Sequence, residues 1–149
     1  MEDYYFEDYP VGRLAKLGEI SVGESEMVDF ARRYDPQPFH VDKVLASQSM
    51  YGGIIASGWF TCAITMKALV ENYLSPSSSL GSPGIDELKW LAPVRPGDRL
   101  SISCEVVEAR ESRSRPDRGV IKTRIDVSSE VPVLTMVAVN LVLKRAQGD

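Results

Sequence analysis

The chain has 149 residues, 44% hydrophobic and 26% charged, with a formal net charge of −4 at pH 7. That length suggests one domain, residues 1–149, able to bury a single core without staples, and the acidic balance argues against a nucleic-acid-binding surface, which needs a basic face. Two cysteines without C-x-x-C spacing, Cys62 and Cys104, and a single histidine are too few ligands for a metal centre, so no metal is expected.

Both thiols read as reduced and buried, which suits the cytoplasm. The opening MEDYYFEDYP is acidic and aromatic, unlike a signal or transit peptide. No run reaches the roughly 20 apolar residues of a membrane helix.

Residues 13–22 mix apolar and polar side chains as a first strand would. Glu24 to Tyr34 reads as a helix: Glu24 and Glu26 open it and Arg32 and Arg33 close it, in accord with the helix dipole. Met27, Phe30 and Ala31 give it one apolar face. Pro36 stops it, which leaves Asp35 just beyond the helix end. His40, the only histidine, falls in an irregular loop stiffened by Pro36 and Pro38. Asp42 is a good N-cap for a short helix running to about Gln48.

From Gly58 to Leu74 the pattern has helical length, but apolar residues cover nearly every side, among them Trp59, Phe60, Cys62, Ala63, Ile64, Met66, Ala68, Leu69 and Val70. Such a helix is expected to be buried all round. Ser57 reads as its N-cap and Gly58 as its first helical position. The serines at 75–79 form a loop. A strand follows over about Ile85 to Leu91, then the turn PVRPGD. Beyond it Leu100, Ile102, Cys104 and Val106 alternate with polar residues, as do Ile121, Thr123, Ile125 and Val127, and residues 131–144 form a third β-branched run. Period-two patterning with short connections marks antiparallel strands with one face in a core. The outline is α+β, a long curved antiparallel sheet wrapped around one central helix.

Against that outline, four groups stand out. Imidazole titrates near neutral pH, so His40 suits a general base, and Asp35 is its nearest acidic companion in a rigid segment. Gln37 reads as a brace for that loop. Gly58 has two compatible readings, close packing against the sheet or a free backbone N–H at the positive end of the helix dipole. Asp42 reads as a cap, Glu71 as a solvated helix end, and Arg95, Arg99, Arg113, Arg115 and Arg118 as solvated charges.

Asp35, Pro38, His40 and Ala46 match a signature of aspartate, histidine five positions on and a small residue six further. In this the chain resembles the MaoC-like dehydratases, the (R)-specific enoyl-CoA hydratase family. YGGIIASGW, Tyr51 to Trp59, resembles the stretch entering that family's central helix, and Leu88 to Leu100 resembles its strand–turn–strand, so the likeness spans nearly the whole chain. There are departures: Gln37 stands where the family usually has asparagine, Tyr34 where a small residue is common, Ser57 where many members have histidine, and Met66 where a serine is frequent.

The resemblance implies a hotdog fold. It implies reversible hydration of a trans-2-enoyl-CoA to a (3R)-hydroxyacyl-CoA, with Asp35 and His40 sharing acid and base work on one water. Gly58, capped by Ser57, would hold the thioester oxygen, and Gln37 and Pro38 would brace the loop. No cofactor is implied beyond the CoA of the substrate. Alternatives are a hotdog thioesterase, disfavoured because the acid and histidine precede the helix, and a non-catalytic acyl-CoA-binding or assembly subunit. A curled sheet leaves an open edge, which predicts a homodimer or a dimer of such dimers.

Overall fold

The computed structural model describes residues 3–146; residues 1–2 and 147–149 of the expected domain lie outside the described residues. Its elements run β1 (Leu14–Ser21), α1 (Glu24–Tyr34), α2 (Pro38–Val41), α3 (Lys43–Ser47), α4 (Gly58–Asn72), β2 (Gly84–Trp90), β3 (Arg99–Glu111), β4 (Arg118–Ser128) and β5 (Pro132–Leu143). The strands form one antiparallel sheet in the order β1-β3-β4-β5-β2. Register shifts interrupt β1, β2, β3 and the end of β4, and such bulges bend and twist a strand. At the β1 shift Gly18 takes φ 94°, a backbone region that a side chain would disfavour.

The curved sheet holds α4 against its concave face, as in the hotdog fold. Leu100, Ile102, Val106, Ile121, Ile125 and Val127 supply the sheet side of one hydrophobic cluster, and Phe60, Ala68 and Leu69 supply the helix side. Their alternation in the strands is what the period-two pattern anticipates.

Three expectations are corrected. First, α4 is not buried all round: Phe60, Thr61, Thr65, Ala68 and Leu69 face the core, whereas Trp59, Met66 and Val70 are about half exposed. One sheet wraps one face of a helix, so an all-round apolar pattern on α4 calls for a second cover. Second, Cys104 is buried but Cys62 is only partly buried. Third, His40 lies in a single helical turn, α2, rather than in irregular loop. Pro38 occupies its first position, where the missing N–H costs nothing. Among the described residues no helix is long and apolar enough to cross a membrane.

Candidate active site

The segment after α1 is built by its prolines. The Asp35 N–H still donates to Ala31 O (2.8 Å), but Pro36 prevents a further turn, and Gln37 N–H folds back onto Asp35 O (2.8 Å). Pro38 then starts α2, which turns the His40 ring inward, where it is buried.

There Nδ1 lies 2.8 Å from the Ile55 carbonyl oxygen. A carbonyl can only accept, so Nδ1 carries the hydrogen and Nε2 is left facing Asp35. Nε2 and Asp35 Oδ2 are 3.2 Å apart. That separation is within hydrogen-bond reach, so a proton can pass between the imidazole and the carboxylate. Gln37 Nε2 donates to Asp35 Oδ1 and Ser57 Oγ donates to Oδ2, each at 2.7 Å. Burial works to raise the Asp35 pKa, yet these two hydrogen bonds and the His40 charge outweigh it and hold the carboxyl below its ordinary value.

Ser57 has a second bond. As N-cap of α4 it accepts from Trp59 N–H (3.3 Å), so one hydroxyl ties the carboxylate to the start of the central helix. Gly58 is the first helical residue, and its N–H, like those of any first turn, has no intrahelical partner. Asp35, His40, Tyr51, Gly58, Thr61 and Trp90 lie around one cleft of about 450 Å³. The structure thus brings together Asp35, His40, Ser57, Gln37 and Gly58. Pro38 acts on the backbone alone.

The close-packing reading of Gly58 holds: a Cβ there would collide with the Trp90 indole. Trp90 also meets Trp59 edge to face, with centroids 5.1 Å apart. Replacing Gly58 therefore moves a wall of the cleft as well as any N–H, and Gly58→Ala and Gly58→Pro do not separate its two roles.

Sequence reasoning missed the Ile55 carbonyl, which fixes the imidazole tautomer, because a backbone oxygen carries no side-chain signal. It also missed the lacing that shapes the cleft. Arg95 Nη2 donates to Tyr51 O and Ala56 N–H to Val94 O, both at 2.8 Å, so Arg95 braces the 51–56 segment rather than standing free. Asp42 does cap α3 through Val44 and Leu45 N–H. Glu71 is exposed beside Lys67, Arg99 pairs with Glu19 and Arg118 with Asp117.

Residues 9–128 match the MaoC like domain. The chain belongs to that family. This MaoC-like protein is 31% identical over 112 residues to the 3-hydroxybutyryl-CoA dehydratase of Methylorubrum extorquens, covering 74% of this chain and 69% of that one. It is 30% identical over 108 residues to the uncharacterized protein YdeM of Bacillus subtilis, covering 72% and 77%. Among solved structures, the MaoC-like dehydratase of Rhodospirillum rubrum superposes with a TM-score of 0.89 at 35% identity, covering 97% of this chain and 99% of that one.

Proposed function

We propose that this MaoC-like protein catalyses the reversible hydration of a trans-2-enoyl-CoA to a (3R)-hydroxyacyl-CoA. The observation that carries this reading is the Asp35–His40 pair, 3.2 Å apart at the wall of one cleft. Hydration adds hydroxyl at C3 and a proton at C2. A water held by the pair loses a proton to one member while the other delivers a proton to C2, so the pair carries one proton before and after. Negative charge gathers on the thioester oxygen, and the N-terminus of α4 is a favourable place for it. The 31% identity to a 3-hydroxybutyryl-CoA dehydratase supports the reaction class.

The test is incubation of the pure protein with a panel of enoyl-CoA thioesters, following enoyl absorbance and free thiol in parallel. Loss of absorbance without thiol is expected. Thiol release would mark a thioesterase, and neither signal would mark a binding subunit.

The same reading includes a homodimer. The edge strand β2 exposes Ile85 and Trp90, and the outer face of α4 exposes Trp59, Met66 and Val70. The Trp59–Trp90 contact joins the two. A second copy set against β2 would pair that edge and cover the outer face of α4. Light scattering at micromolar concentration should give twice the chain mass; a stable monomer would contradict it.

A further inference from the structure

Three buried threonines line α4 and the sheet behind it, and they differ in one respect. Thr65 Oγ1 donates to Thr61 O (2.7 Å), and Thr123 Oγ1 pairs with Tyr73 Oη (3.0 Å). Thr61 is 2% exposed, yet its hydroxyl makes no hydrogen bond with any described residue. No buried side-chain oxygen or nitrogen among the described residues is sealed off without a partner, so the Thr61 hydroxyl reaches open space, and the space Thr61 borders is the Asp35–His40 cleft. A hydroxyl kept unpaired on a side chain this buried costs stability unless water or a ligand completes it.

Its position says which part of a ligand it meets. Gly58 and Thr61 are three residues apart on α4, hence on one face and neighbouring turns. A helical side chain leans toward the N-terminus and covers the turn before its own Cα, which sets the Thr61 hydroxyl back toward the level of the Gly58 N–H. We infer that Thr61 is a substrate-contacting residue whose hydroxyl, with the Gly58 N–H, holds the thioester oxygen of the acyl-CoA from two sides. This rests on the hydratase reading for its substrate. It adds a donor that strengthens as the oxygen gains charge, alongside a backbone N–H whose direction is fixed by the helix.

The experiment compares wild type with Thr61→Val, which keeps the branched shape and loses the hydroxyl, and Thr61→Ser, which keeps the hydroxyl. On trans-2-butenoyl-CoA, kcat should fall roughly 10²-fold in Thr61→Val, the scale for one oxyanion donor, with KM little changed and with Thr61→Ser near wild type. In parallel, the infrared carbonyl band of bound ¹³C-labelled butanoyl-CoA, a saturated thioester that cannot react, should lie below its solution frequency in wild type and Thr61→Ser and move back in Thr61→Val. Thr61→Ala serves the same comparison where Val fails to fold. A Thr61→Val protein with wild-type kcat and an unmoved band overturns the inference. Wild type that binds butanoyl-CoA but does not hydrate the enoyl thioester overturns the hydratase reading alone, and the band then decides on Thr61. Wild type that binds no acyl-CoA overturns both.

Discussion

At its N-terminal end α4 meets the Asp35–His40–Ser57 network; at its C-terminal end Tyr73, the residue that caps the helix, meets a second buried polar cluster. There Tyr9 Oη donates to Tyr73 O (2.5 Å), and Tyr73 Oη pairs with Thr123 Oγ1 (3.0 Å). The Arg13 guanidinium lies 4.6–5.4 Å from the ring centres of Tyr4, Tyr9 and Tyr73, within reach of cation–π attraction. Every partner at this end belongs to the protein. At the other end the Asp35–His40 pair, the Gly58 N–H and the Thr61 hydroxyl face a cleft. Both ends are buried polar networks, and what separates them is whether the last hydrogen bond is made inside the chain or left for a ligand. A closed network holds the fold together, and an open one is available for chemistry.

The sharpest way to break this contrast is to exchange the consequences. His40→Ala and Asp35→Asn should each lower turnover per folded molecule by roughly 10²–10⁴, the range for general acid–base groups, well beyond what any loss of folded protein explains. Enoyl-CoA hydration rates and denaturation midpoints measured on the same preparations would check both halves.

Tyr73→Phe should do the reverse. It leaves the Thr123 hydroxyl buried without its partner, at a cost of about 1–3 kcal/mol, and activity per folded molecule stays as in wild type. Thr123→Val in the Tyr73→Phe background should recover part of the loss, because removing both partners is cheaper than removing one. Urea midpoints of the two single variants and the double variant would decide.

Ser57→Ala falls between the two regions in kind. It removes the α4 N-cap, worth about 1 kcal/mol, and one of the two side-chain donors to Asp35. A loss of both stability and turnover is expected, whereas a loss of stability alone would mean that the Asp35 bond is idle.

The remaining effects are in pH dependence, and they take opposite signs at the two ends. Asp35 has a depressed pKa in the folded chain, so its contribution is present above the unfolded value of about 3.9 and is lost as pH falls through the folded one. Asp35→Asn should flatten the acid limb of the stability profile. Burial pushes Tyr73 up from 10.0 to about 12. Its contribution is whole below about pH 10 and is lost as pH rises towards 12. Tyr73→Phe should flatten the alkaline limb and leave the acid one unchanged.

The two networks were unequally legible in the sequence. The N-terminal one was announced by a lone histidine five residues after an aspartate, with two prolines between them that forbid a long helix. Strand alternation gave the sheet, and the all-round apolar pattern gave the central helix. That same pattern overstated burial, because one sheet covers one face and leaves Trp59, Met66 and Val70 exposed. The strand partner of β2 was not readable, since the PVRPGD turn looks like a hairpin while pairing is decided by sheet closure at β5. The tyrosine cluster was invisible. Tyr9 and Tyr73 are 64 residues apart, and nothing in spacing or composition joins two residues that meet only through the fold.

The central claim, that Asp35 and His40 act as one unit on one water, is tested most directly by a double-mutant cycle on kcat/KM for trans-2-butenoyl-CoA with Asp35→Asn, His40→Ala and the pair together. The account predicts that each single variant loses nearly all the acceleration and that the double variant is little slower than either, as for groups that work as a unit. A His40→Ala enzyme with near-normal turnover, or losses that multiply in the double variant, would contradict it.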